Sequence, residues 1–557
     1  MILQRLVEFA RRIPDLPPSM YSPLAFKWRI SLDPNGGYLG ITELSGGEKA
    51  NRGLTIMSPN RKRSGTAPPP LLLADKASYV LGAGAESPAD SWHFGEFTAL
   101  TRRCAESTGE PAVRAVLAFL EKHKESPISL PEGLEPGDLV CFRVGDVQPT
   151  DLPAVRSFWV AQNVSSGDSR QCILCGRIGP VDRVSPIAVK GLARIGGQSS
   201  GMALVSANND AFLSYGAQQA LIAPTCRSCG EAYANSINYM LANEAYRVFV
   251  GPTAFLFWTS EESGFNYASL ISQPQEEDVK NLIESYRTGQ FSELRNAQAF
   301  YALSLSASAG RVVVRDWLET TVPKVQANLA RWFQLQALRD SDGKPGRPFG
   351  VYALAASLYL KPNDQMVANV PRALVRCALF GGILPDWMLA QAVGRNRAEQ
   401  GVTRNRAALI KAALLSQVKD YKEDYMEKLD STCTSPGYLC GRLLAELEAA
   451  QKAAINPKAT IVDRYYGAAS SAPATVFGNL MRNNRAHMST LNRDKPGIGI
   501  RIDKNLQEIL SKLGEFPRTL TLKEQAMFAL GYYHQKAQRW AKPGSEDNNT
   551  DDKEENQ

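Results

Sequence analysis

The stretches QCILCGRIG at residues 171–179 and APTCRSCGE at 223–231 each hold two cysteines separated by two residues, and together they take four of the nine cysteines in the chain. A Cys-x-x-Cys turn aims both sulfurs at one point, and two such turns supply the four thiolates of a tetrahedral zinc site. Gly176 and Gly230 follow the pairs where a tight backbone turn is expected. The spacing assigns Cys172, Cys175, Cys226 and Cys229 to a closed structural zinc site, a clasp across the residues between them. Four sulfurs leave no position open for water, unlike a catalytic zinc. The competing readings are a disulfide pair, a redox Cys-x-x-Cys or inert thiols; the first two are disfavoured by the absence of a signal-peptide pattern and by the duplication of the motif. Cys104, Cys141, Cys377, Cys433 and Cys440 show no partnering pattern and read as small core residues.

Around this clasp the chain changes character twice. From Ser31 to about Trp258, short extended runs such as DLVCFRV (138–144), ALVSAN (203–208) and FVGPTAFLFW (249–258) are broken by Gly, Pro, Asn and Asp, the pattern of a strand-rich or α+β region. QEEDVKNLIESYRTG (275–289) and WLETTVPKVQANLARWFQLQAL (317–338) then read as helices around the extended RVVVRDW (311–317). Beyond Val351 the pattern is helical almost throughout. Ser435 and Pro436 stand as N-cap and first residue of a helix striped by Leu439, Leu443, Leu447, Ala450 and Ala454. Thr521 and Glu524 form a capping-box pattern before a second stripe of Leu522, Ala526, Ala529, Tyr533 and Trp540. The expected fold is α+β: a mixed, strand-rich N-terminal domain at 1–258 with the cysteine subdomain near 170–231, a mixed connecting region at 259–350, an all-α bundle at 351–540, and a disordered acidic tail at 541–557.

A chain of 557 residues exceeds a single hydrophobic core, and its composition of 44% apolar and 21% charged residues is that of a soluble globular protein. No apolar run reaches the roughly 20 residues that cross a bilayer. The opening MILQRLVEFARRIPDLP reads as an amphipathic first helix, not a signal peptide. Net charge is +7, and because residues 541–557 carry two lysines against six acids, the rest of the chain holds +11. Such a body suits a polyanionic partner, most simply nucleic acid, although dispersed solvated lysines and arginines give the same total.

Three stretches concentrate groups suited to nucleic acid. Between the cysteine pairs, Gln198, Ser199, Ser200 and Asn208 offer amides and hydroxyls able to read base edges, and Lys190 and Arg194 offer phosphate contacts; a glycine-rich turn with solvent-facing polar residues is the simpler account of the same stretch. Arg61, Lys62 and Arg63 form a second basic spot. Arg395, Arg397, Arg404 and Arg406 fall in a third, where a helical ridge would follow a phosphate backbone. Catalytic patterns are missing: the four histidines make no metal-ligand pair, and neither a phosphate loop nor a nucleophile elbow occurs. A binding role, not catalysis, is the expectation.

Five blocks in order, MILQRLVEF, RSGTAPPPLLLADKASYVLG, the long CILCGRIGPVDRVSPIAVKGLARIGGQSSGMALVSANNDAFLSYGAQQALIAP, PGYLCGRLLAELEAAQKAA and KEQAMFALGYYHQKAQ, resemble the large subunit of the CRISPR subtype I-C Cascade, in the Csd family. The resemblance implies a cytoplasmic, non-catalytic subunit of a crRNA-guided complex. It would sit beside the subunit that holds the crRNA handle, recognise the protospacer-adjacent motif in double-stranded DNA, promote duplex opening and R-loop formation, and recruit a separate helicase-nuclease. Arg61, Lys62 and Arg63 would then lie near the handle, and the ridge from Arg395 to Arg406 along the displaced strand. In this family the gene also yields a small subunit from an internal start. Met426 is the candidate here, preceded by Lys422, Glu423 and Asp424, whose codons admit a ribosome-binding sequence. From Met426 to Trp540 there are sixteen basic and ten acidic residues, which fits a bundle lining a nucleic-acid path. The alternatives are a zinc-stabilised scaffold without motif reading, and a metal-dependent nuclease with an unfamiliar site.

Overall fold

Residues 28–32, WRISL, alternate apolar and polar side chains, and in the computed structural model they form a strand with Trp28, Ile30 and Leu32 buried. The structure describes residues 2–538 apart from 15, 45–52, 62, 64–67, 164–168, 208, 214, 263, 289–297, 309, 341–343 and 419–424. Contacts divide the chain into two units, Met1–Ala188 with Val205–Ile237, and Val189–Leu204 with Asn238–Gln557. The strand-rich stretch that ends near Trp258 is therefore shared between them. The fold class is α+β.

In the first unit a four-stranded sheet runs in the order Tyr38–Glu43, Trp28–Leu32, Leu139–Val144, Ala74–Lys76. Its central pair is parallel and its outer pairs antiparallel. A parallel pair needs a long crossover, and helices Trp92–Thr108 and Pro111–Glu125 lie within it. Ser91 starts the first helix by accepting from the Phe94 N–H, Gly109 ends it at φ 65°, and Pro111 opens the next, where a missing N–H costs nothing. Phe97 and Phe119 pack on Phe142 of the sheet.

The second unit begins with an antiparallel meander of Arg247–Val250, Thr253–Thr259, Ala299–Ser308 and Arg311–Thr321. FVGPTAFLFW is thus two strands turned at Gly251, and RVVVRDW is the start of a longer one. Two expectations change. ALVSAN forms no strand; Ala203 makes only an isolated bridge to Arg311, and Asn208 lies outside the described residues. WLETT continues the strand, and the helix starts at Val322, where Pro323 in the first turn fits a helix start better than a helix interior.

The C-terminal helices carry a core of their own. Its fully buried members, from Leu439 through Tyr466, Phe477 and Ile509 to Tyr532, all fall between residues 439 and 532. Helices Pro436–Ile455 and Leu522–Gln538 meet along a seam of glycines: a Cβ on Gly441 would stand 2.0 Å from the Phe528 carbonyl oxygen, and one on Gly531 2.1 Å from that of Tyr438. Glycine lets the two backbones touch. The Thr521–Glu524 capping box is formed, with the Thr521 N–H donating to Glu524 at 2.7 Å. Ser435 makes no side-chain cap; Pro436 alone marks that helix start. Charges are buried in pairs: Arg442, 1% exposed, donates to both oxygens of Glu508 and to Gln535. Glu448 accepts from Tyr532 at 2.8 Å and pairs with Lys452 at 2.7 Å. Among the described residues no helix is long and apolar enough to cross a membrane.

Candidate metal centre and nucleic-acid contacts

Short hairpin strands Ser169–Gln171 and Ile178–Pro180 present the first cysteine pair, and helix Arg227–Ala242 carries Cys229 in its opening turn with Cys226 just before it. In the first knuckle the Gly176 N–H donates to the Cys172 carbonyl at 2.9 Å while Gly176 holds φ 73°. Gly230 plays a different part from the one expected. It lies inside the helix, and a Cβ there would press on Pro186 at 2.9 Å, so it is a packing glycine. The Ile173 N–H donates to the Pro224 carbonyl at 3.0 Å, tying one pair to the other.

The four sulfurs lie within 4.8 Å of one another, with Cys175 and Cys226 3.8 Å apart. Zinc–sulfur bonds in a regular tetrahedron place sulfurs about 3.8 Å apart, so the donor set and its spacing fit zinc. No other His, Cys, Asp or Glu cluster of metal-binding geometry occurs among the described residues. Burial opposes the Cys172 thiolate, but the amides of Cys175, Cys226 and Leu174 outweigh it and bring the pKa down to about 6. Cys229 shifts upward through burial and the crowding of the other sulfurs. A divalent cation among four thiolates neutralises that crowding. Cys172 and Cys229 are buried and Cys226 is half-buried, with all four sulfurs committed to one point. Of the remaining cysteines, Cys104, Cys141, Cys377 and Cys440 are buried and Cys433 is half-buried.

The loop between the pairs leaves the first unit after Ala188 and belongs to the second over Val189–Leu204. Val189 and Met202 pair at its base, and the Lys190 N–H donates to Asn238 at 2.8 Å. Lys190, Arg194, Gln198, Ser199 and Ser200 are all exposed on it. Arg194 lies 5.5 Å from the Phe249 ring centroid, and Gln198 packs beside Gly310 at the turn of the long hairpin.

The other two basic stretches are largely turned inward. Asp75 is fully buried, and a buried carboxylate requires a countercharge. Arg63 supplies it with two bonds of 2.8 and 2.9 Å. Arg61 donates to Asn163 at 2.7 Å and to the Pro70 carbonyl, and stacks over Trp159. These guanidinium groups make contacts within the fold and are half-buried, and Lys62 lies outside the described residues. On the presumed ridge, Arg406 is 3% exposed and spent on Ser357, Asn396 and Glu399. Arg404 stacks on Phe349 with its centre 4.5 Å from the ring, and Arg395 pairs with Glu399. Arg397 alone of the four is exposed with no partner for its guanidinium among the described residues. A helix start at Arg404 turns Arg406 inward, which charge counting along the sequence does not register.

A family model described as CRISPR-associated protein Csd1 matches residues 3–540. The chain belongs to the Csd1 family. No protein of curated function matches it in sequence. Membership makes this Csd1 chain a CRISPR-associated protein, in keeping with a crRNA-guided effector complex.

Proposed function

We propose that this Csd1 chain is the non-catalytic large subunit of a type I-C Cascade, reading the protospacer-adjacent motif and promoting R-loop formation. The observation that carries the reading is the exposed 189–204 loop, where Gln198, Ser199 and Ser200 stand beside Lys190 and Arg194 in a family member. Amide and hydroxyl groups discriminate base edges, and the two cations fix register on phosphates. Zinc held by Cys172, Cys175, Cys226 and Cys229 would be structural, tying the hairpin at 169–180 to the start of helix Arg227–Ala242. Arg397 is the remaining candidate for the displaced strand. Partners on this reading are crRNA, target DNA, the other Cascade subunits, a small subunit begun at Met426 and a helicase-nuclease. A short product from Met426 would carry the whole 439–532 core; Lys422, Glu423 and Asp424 lie outside the described residues.

The test is binding of the assembled complex to matched duplexes in which only the flanking motif is randomised. Gln198→Ala and Asn208→Ala are expected to lose discrimination among flanks while still binding a pre-opened target. Intact discrimination would make the loop structural and favour a scaffold role. Metal-dependent DNA turnover by the purified chain would favour the nuclease alternative.

A further inference from the structure

Ala207 and Gln219 exchange two backbone hydrogen bonds, of 3.1 and 2.7 Å, and so close the base of the loop at 208–218. Within it Tyr215 is the most exposed large apolar side chain among the described residues, at 106% against 79% for Ile178. Its side chain makes no hydrogen bond or ring contact among them. A lone exposed aromatic is ordinary; this backbone is not. Tyr215 holds φ 50° and Gly216 φ 71°, two consecutive left-handed residues of the kind a tight hairpin turn takes. The first of those positions favours Asn, Asp or Gly, and a bulky side chain there costs free energy. The space around the turn is open, since a Cβ on Gly216 would meet nothing within 4 Å. Gln219, at φ 51°, adds a second unfavourable backbone four residues on. Strain of this kind clusters at ligand clamps. The base of the loop also carries a cation. Arg183 donates to Gln218 at 3.0 Å, its carbonyl accepts from the Ala220 N–H at 3.0 Å, and its guanidinium is exposed with no ion pair among the described residues. Asp210 is the single acid in 208–218.

We infer that Tyr215 is a stacking platform for an unpaired base of single-stranded nucleic acid, with Arg183 on a neighbouring phosphate. Contacts within the chain give the ring no reason to stand at a position that suits Asn or Gly, whereas a base supplies the flat apolar face it lacks. An opened duplex leaves bases unstacked, and an aromatic side chain offsets part of that loss whatever the base. Arg183 contributes the salt-dependent part. The inference rests on the reading of this chain as a subunit that opens duplex DNA, and it separates two tasks: amides and hydroxyls of the 189–204 loop discriminate, and Tyr215 holds without discriminating.

The experiment uses the full-length chain and short single strands carrying 2-aminopurine, whose fluorescence falls when an aromatic ring stacks on it. The native chain, Tyr215→Phe and Tyr215→Trp are expected to quench it. Tyr215→Asn, the side chain that this backbone favours, should bind about tenfold weaker, the order expected for one stacked base. It should also lose the quenching, keep the salt slope and melt no lower than the native chain. Arg183→Gln should lower the salt slope by about 0.7, the value for one single-strand phosphate contact, and keep the quenching at saturation. Absence of quenching by the native chain, or Tyr215→Asn binding and quenching like the native chain, would overturn the assignment. A lower melting temperature in Tyr215→Asn would make the ring part of the fold instead. Unchanged strand binding with loss of co-assembly would reassign Tyr215 to a socket on another subunit. These outcomes are separable from the loop reading, because flank discrimination by the assembled complex is scored with Gln198→Ala and is expected to survive Tyr215→Asn.

Discussion

The cysteine clasp and the C-terminal bundle solve the same problem by opposite means. Around the clasp, strands are three residues long and Ile173, Ile178, Val184, Phe212, Tyr215 and Ile222 remain exposed. In the bundle, helices of 17 to 20 residues bury leucine, tyrosine and phenylalanine against one another. Beside these exposed apolar side chains, four sulfurs placed to share one ion would supply part of the local stability. Where apolar burial is plentiful, charges such as Arg442 and Glu448 are enclosed in a complete hydrogen-bond network. The lesson is that the clasp's stability is concentrated at one point and the bundle's is spread.

The largest effect that tests this contrast is metal removal. Strong chelation or Cys172→Ser should release one zinc per chain and abolish hydrogen-exchange protection around residues 169–181 and 223–230, since structural zinc sites bind with about 10–16 kcal/mol. The 439–532 core should keep its protection. Protection of the clasp that persisted without metal would break the comparison. Next comes Gly441→Val. Forcing a side chain onto the Phe528 carbonyl should cost the bundle about 3 kcal/mol in chemical denaturation, with zinc content unchanged.

A pH series sharpens the picture further. Burial, reinforced by Lys411, lowers the His534 pKa from its ordinary value to about 3. The unfolded chain binds a proton there near pH 6.5 and the folded chain does not. Stability contributed by neutral His534 is thus complete above pH 6.5 and is lost progressively down to about pH 3. Glu448 adds to the same slope at its lower end: burial opposes its ionisation, yet Lys536, Lys452 and Tyr532 hold its pKa below the ordinary value. His534→Gln should flatten the unfolding free energy between pH 6 and 4, as read from urea midpoints; an unchanged slope would remove His534 from this account. The smallest effect is the cap. Thr521→Ala should cost about 1 kcal/mol, detected as a lower melting temperature of the bundle alone.

Much of this was legible in the sequence where one residue type has one physical use. Cys172, Cys175, Cys226 and Cys229 read as a cluster because paired thiols at that spacing have few other arrangements, and they do converge. The stripes Leu439–Leu443–Leu447 and Ala526–Ala529 are buried as periodicity requires. Arginine is less readable because it serves two ends. Arg63 answers Asp75, which sits behind the apolar LLLA run at 71–74, and that setting was the available signal. Arg406 answers Glu399 and two amide or carbonyl oxygens that no local pattern marks.

One feature of the chain path bears on its synthesis. Ala203 pairs with Arg311 and accepts from Val312, so the loop proposed to read DNA leaves the ribosome about a hundred residues before the strand that docks it. At synthesis rates of about 5–20 residues per second that wait lasts roughly 5–20 s. During it the loop is tethered on both sides to the earlier unit with its docking surface not yet made. A ribosome that stops before residue 312 leaves a nascent chain with the cysteine pairs complete and the 189–204 loop without the strand it pairs with.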